Sequence, residues 1–125
     1  MDDGRSTVRA ELVLLPSEPQ LRAELALLRN RMAGTDDVNL VLDLSRVEII
    51  SSPSLGILLG LHQVLSRRGR RLILCKTRLA TKCILRIAGL EAVFDFAEEK
   101  TEALHILGQS PGPPAEPLPE NGVEP

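Results

Sequence analysis

The chain has 125 residues, 43% hydrophobic and 26% charged, which suits one domain built round one core. A formal net charge of −2, two aromatic residues and no Trp or Tyr give it neither the basic footprint nor the stacking platforms of a nucleic-acid binder. No apolar run approaches the roughly 20 residues of a membrane span, and the acidic, polar start MDDGRST is unlike a secretory signal, so a cytoplasmic chain without membrane insertion is expected.

The first predicted element is a strand. Val8, Ala10, Leu12 and Leu14 alternate with Arg9, Glu11 and Val13, the period of a half-buried strand whose apolar face is the even-numbered set. Ser17 and Gln20 fit a capping box, and Leu21, Leu25, Leu28 and Met32 follow at helical spacing up to Gly34. VNLVLDLS then reads as a strand buried on both faces, as in parallel sheets. PSLGILLGLHQVLSRRG is a helix apolar on more than one face and therefore largely covered. It ends in a basic cluster, Arg67, Arg68, Arg70 and Arg71 around Gly69, which suits helix capping better than an anionic partner.

RRLILCK is a further short buried strand, and Thr77 is placed to cap a helix carrying Ala80, Cys83, Ile84 and Ile87 up to Gly89. LEAVFDFAE gives a last strand, at a sheet edge, and EKTEALHIL a closing helix. Cys75 and Cys83 lack CxxC or Cys/His spacing, so both are expected reduced and buried. From Gly108 the composition changes: GQSPGPPAEPLPENGVEP holds six of the nine prolines and no periodicity. A disordered tail over 108–125 is expected after a domain over 1–107. Strands alternating with helices predict an α/β domain with a mostly parallel sheet of four or five strands.

Catalytic patterns are missing from the sequence. His62 and His105 lie in apolar helical stretches without a nucleophile or a second metal ligand at a telling distance. GILLG lacks the lysine of a phosphate loop, and Asp43 at a strand end suits an amide-capping carboxylate. No enzyme, cofactor or metal is expected. Attention falls instead on EIISSPSLGILLG, Glu48 to Gly60. Pro53 suits the first helical position and makes Ser52 the expected N-cap, while Ser54 carries a hydroxyl that capping does not require.

The succession of DLSRVEIISSPSLG, an apolar helix, RLILCK and AGLEAVFDF resembles the STAS domain, named for sulfate transporters and anti-sigma factor antagonists, over about Val8 to Leu107. In that family the strand leads into a loop of the pattern Asp-Ser-Ser-Gly-Leu-Gly. Here Ser51 stands for the Asp, Ser52 for the first serine, Pro53 for the serine usually phosphorylated and Ser54 for the glycine, while Leu55 and Gly56 match. The resemblance implies a non-enzymatic regulator that binds an anti-sigma factor or kinase-like partner through Ser51, Ser52, Pro53, Ser54, Leu55 and Gly56. Because Pro53 has no hydroxyl, the phosphorylation candidates shift to Ser54 and Ser52, and a constitutive binder is favoured. A second reading of the resemblance is a scaffold subunit of a stress-signalling assembly or of an ABC-type lipid transporter, without phosphorylation; a small nucleotide-binding α/β protein is the alternative from another class. Many relatives begin with a two-stranded hairpin where this chain has one strand, which leaves a sheet edge open to a homodimer.

Overall fold

A computed structural model describes residues 9–34 and 37–108. They form β1 (Ala10–Leu14), α1 (Gln20–Ala33), β2 (Asn39–Asp43), α2 (Ser52–Arg67), β3 (Leu72–Cys75), α3 (Leu79–Ile87), β4 (Asp95–Ala97) and α4 (Lys100–Ile106). The sheet has four strands in the order β1-β2-β3-β4, every pair parallel. The tail expected over 108–125 lies outside the described residues apart from Gly108.

A chain that steps across a parallel sheet in one direction, with crossovers of one hand, lays its connecting helices on one face. That is where the main core sits. Leu40, Leu42 and Leu44 after and within β2 and Leu72 and Leu74 of β3 meet Leu21, Leu25, Leu28 and Met32 of α1. Leu58, Leu61 and Leu65 of α2 and Leu85 of α3 complete it. Among the described residues the opposite face is covered by α4, which packs Ala103, Ile106 and Leu107 near Val41, Ile73, Cys75 and Ala97. β2 and β3 are therefore buried on both faces, as their unbroken apolar runs predict.

The thin side of the sheet corrects the reading of β1. Val13 packs on the main core and Leu15 beyond it is buried, while Leu12 and Leu14 stand on the α4 face nearly half exposed. Period two says which residues share a face but not which face is covered, and here both sets are apolar.

Helix ends depart from expectation at the front and agree with it at the back. α1 has no side-chain N-cap: Pro19, after a cis Glu18–Pro19 bond, precedes it, and the Ser17 carbonyl accepts the Leu21 amide at 3.0 Å. The Ser17 and Gln20 capping box does not form. Thr77 likewise fails to cap α3, whose N-cap is Arg78; the Thr77 hydroxyl is buried without a hydrogen-bond partner. After α2, Gly69 adopts φ +71°, its amide donates to the Ser66 carbonyl at 3.0 Å, and Arg70 N–H donates to Leu65 O at 2.8 Å. This left-handed exit favours glycine because a Cβ there would crowd the backbone.

The basic cluster beside Gly69 works inside the molecule. Arg68 Nη1 donates to the carbonyls of Met32 (2.6 Å) and Gly34 (2.7 Å), closing the C-terminus of α1 rather than its own helix. Arg70 pairs with Asp37 at 2.7 Å and Arg71 with Asp95 at 2.9 Å. Cys75 is buried as expected, but Cys83 is exposed: the α3 residues that point at the core are Thr81 and Leu85, and Cys83 falls on the other side.

Candidate protein-interaction site

The segment 44–51 carries the chain from the end of β2 to the start of α2. Two anchors fix its first half. Asp43 Oδ1 accepts the Ser45 amide at 2.8 Å, and its other oxygen lies 3.6 Å from Lys100 Nζ. Burial pushes the Asp43 carboxyl upward, but the Ser45 hydroxyl and amide and the nearby lysines hold it below its ordinary value. Asp43 thus caps backbone, as its position at a strand end predicts. Leu44, Val47 and Ile50 tuck into the main core, so the loop backbone is pinned every third residue. From the side, Thr81 Oγ1 donates to Val47 O (3.4 Å) and Arg78 Nη1 to Ser45 O (3.2 Å), bracing the loop against α3.

The helix start lies one residue earlier than the proline predicts. Ser51 is the N-cap: its backbone is extended (φ −78°, ψ 160°) and its Oγ accepts the Ser54 amide at 3.3 Å. Ser52 and Pro53 occupy the first helical turn, exposed, where a missing amide hydrogen costs nothing. The Ser51 carbonyl accepts the Leu55 amide at 2.9 Å, which confirms this register, and a further contact comes from far along the chain: Ser51 N–H, which no helical bond uses, donates to Glu18 Oε2 at 2.8 Å, a charged acceptor. Burial raises the Glu18 carboxyl, yet the Ser51 amide, the Ser54 and Ser51 hydroxyls and the Arg22 charge outweigh it and hold the group below its ordinary value.

Ser54 is the second departure. A partner-binding and phosphorylation candidate needs an accessible hydroxyl, but Ser54 is 0% exposed and its Oγ accepts a hydrogen bond from Ser51 Oγ at 3.1 Å. Leu55 is half-buried against the main core, and Gly56 is exposed. Of the six residues singled out by motif, Ser52, Pro53 and Gly56 form the accessible surface, and Ser51 and Ser54 form its internal bracing. Glu18 is the participant that sequence reasoning missed, because a lone carboxylate 33 positions before its partner leaves no periodic signal. An open cleft lined by Ser17, Glu18, Arg46, Glu48 and Ile49 lies beside the loop.

The two histidines stand apart from this surface: His62 makes an edge contact with Phe94 at 5.3 Å, and His105 is exposed on α4. Among the described residues, no three His, Cys, Asp or Glu side chains group to hold a metal, and no helix is long and apolar enough to cross a membrane.

Known structures share this architecture. An anti-sigma-factor antagonist (STAS) domain protein from Planctomyces limnophilus is 19% identical, covering 84% of this chain and 97% of its own, with a TM-score of 0.68. A candidate anti-sigma factor antagonist from Thermotoga maritima is 18% identical over 77% of this chain and 82% of its own, with a TM-score of 0.66. An NMR structure of the same Thermotoga maritima protein gives 19% identity, 79% and 83% coverage, and a TM-score of 0.66. The family model described as the STAS domain matches residues 13–103, from β1 into α4 and across the whole braced loop. With its four parallel strands and its serine-rich helix start in place, the chain belongs to the STAS domain family.

Proposed function

We propose that this chain is a non-enzymatic, protein-binding regulator of the anti-sigma factor antagonist kind, which engages an anti-sigma factor or kinase-like protein through the helix start at Ser51 to Gly56. One observation carries the reading: Ser52 and Pro53 are exposed at the tip of a loop held by the core, α3 and Glu18. A recognition loop needs this combination of an open tip and a fixed backbone. The two solved antagonist structures support the partner class by similarity of fold.

Binding without a phosphorylation switch is the favoured form. Pro53 has no acceptor oxygen, and a kinase could reach Ser54 only after the first turn of α2 opens, so Ser52 is the first candidate acceptor and Ser54 the second. The same constitutive surface suits a scaffold subunit of a stress-signalling complex or an ABC-type lipid transporter, and a homodimer through β1, an edge strand among the described residues, belongs to the same reading. A cytoplasmic location accords with it. The test is a binding titration against an anti-sigma factor kinase of the same genome. Ser52→Glu is expected to weaken binding while the domain stays folded, and unchanged affinity overturns the reading. Intact-mass measurement after incubation with that kinase and ATP is expected to show no added phosphate; near-complete phosphorylation of the loop overturns the constitutive form. Thermal stabilisation by nucleotide would favour the small nucleotide-binding alternative.

A further inference from the structure

α3 is apolar on the side that faces water. Its core face carries Thr81 and Leu85, both fully buried, with Ile84 packed against the core beside them. Leu79, Cys83 and Ile87 follow each other at intervals of four and form one stripe, with Leu79 75% exposed and Ile87 86% exposed. At 3.6 residues per turn the stripe lies about 180° from the core face. Exposed Ala80 widens it. Lys82 and Arg86 run along one flank, Arg78 precedes them, and the helix contains no acid although the chain's net charge is −2. These cations are held in place: Lys82 Nζ lies 5.6 Å from the Phe96 ring centre, Arg86 pairs with Glu91 at 3.2 Å and Arg78 donates to Ser45 O.

We propose that this outward stripe of α3 is a docking surface for a protein helix whose own apolar residues are bordered by carboxylates. Charge selects this occupant over a second copy of the chain. Antiparallel two-fold pairing would set Leu79 against Ile87 and Cys83 against itself, but it would also bring each Lys82 and Arg86 flank against its own copy. A lipid surface is a poorer fit, because the stripe has no aromatic anchor and the chain as a whole is negative. An acid-bordered helix covers the apolar stripe and meets the cations of Lys82 and Arg78 together, Arg86 being already paired with Glu91. The surface is also ready-made. α3 is closed by Gly89 at φ +77° with Leu90 N–H donating to Leu85 O at 2.7 Å, so docking costs little ordering. The inference extends the partner surface proposed above but rests on α3 alone, and it stands or falls separately from the loop.

Cys83, at the centre of the stripe, is the built-in reporter, and buried Cys75 stays silent. The full chain is alkylated with iodoacetamide in the presence of a synthetic helical peptide carrying leucines at i, i+4 and i+7 bordered by glutamates. A matched peptide bordered by lysines, phosphatidylglycerol vesicles, and the protein alone over a range of concentrations are the other arms. At a peptide concentration ten times its Kd, the glutamate peptide is expected to slow Cys83 alkylation about tenfold. The lysine peptide is expected to protect far less, and Leu79→Ser with Ile87→Ser, at exposed positions, to abolish protection. Lys82→Glu with Arg86→Glu is expected to reverse the preference between the peptides. The expected protection persists in Ser52→Glu. Equal or absent protection by the two peptides overturns the proposal, as does protection by vesicles alone or by self-association.

Discussion

Removing the Glu18 carboxylate tests how the α2 start is held. In Glu18→Ala the Ser51 amide loses a charged acceptor at 2.8 Å in a part-buried setting. Hydrogen bonds to charged groups contribute about 1.5 to 3 kcal/mol, and partial exposure selects the lower end, about 1.5 kcal/mol. For a domain of this size that corresponds to a fall in Tm of roughly 6 to 12 °C. The same contact carries a pH signature. Glu18 in the folded state lies below its ordinary value of 4.5. The unfolded chain therefore binds more protons in the acid range, and the stabilisation is complete above that value and lost as pH falls through the lower, folded-state pKa. Asp43, lowered from 3.8, adds a loss of the same sign at somewhat lower pH. Glu18→Gln removes the first contribution only. The assay is urea denaturation of the native chain and of both variants at neutral pH and in steps down to about pH 3. The stability gap between native and Glu18→Gln is expected to narrow as pH falls. A gap constant over that range, or an unchanged midpoint for Glu18→Ala, refutes the role given to this carboxylate.

Three further outcomes follow from the same packing. Ser51→Ala is expected to cost about 1 kcal/mol in chemical denaturation and Ser52→Ala less than about 0.5; the reverse ranking would return the N-cap to Ser52. Leu61→Ala, at a fully buried position between α1, α2 and the sheet, is expected to cost about 2 to 5 kcal/mol, and a loss below 1 would show that the site is not close-packed. Cys83 is expected to react with Ellman's reagent in the native protein and Cys75 only on unfolding, since burial and then the Asp43 charge push the Cys75 thiol up; simultaneous reaction of both contradicts the placement.

The eight elements were legible because each carries a period or an unbroken apolar run bounded by turn residues. Leu21, Leu25, Leu28 and Met32 can share a face only on a helix, and all four are buried. The continuous LVLDL and LILC runs, too short for a helix and rich in branched side chains, read as strands covered on both sides, and both are. What sequence did not convey depends on contacts between distant segments. The helix start at Ser51 is held by its own Oγ on the Ser54 amide and is braced by Glu18 from 33 positions away, neither of which the local preference of Pro53 for a cap at Ser52 takes into account. The buried hydroxyl of Ser54 and the half-exposed Leu12 and Leu14 are likewise decided by which neighbour covers them. Cys83 was misread because an apolar helical residue was assumed to face inward. On α3 that rule fails for a whole stripe.

The strictly parallel sheet means that every strand ends at the same rim, where the chain then turns towards the following helix. The segment between Leu44 and Leu58 leaves from that rim and returns to the core at both of its ends. It is therefore a cassette: its tip can be exchanged for another sequence without retuning the layer of leucines beneath it, provided that Val47 and Ile50 keep their seats. One scaffold could acquire a different binding preference by changing only a few exposed residues there. Transplanting the tip from a relative, with those two anchors retained, would transfer recognition while leaving the unfolding transition close to that of the parent.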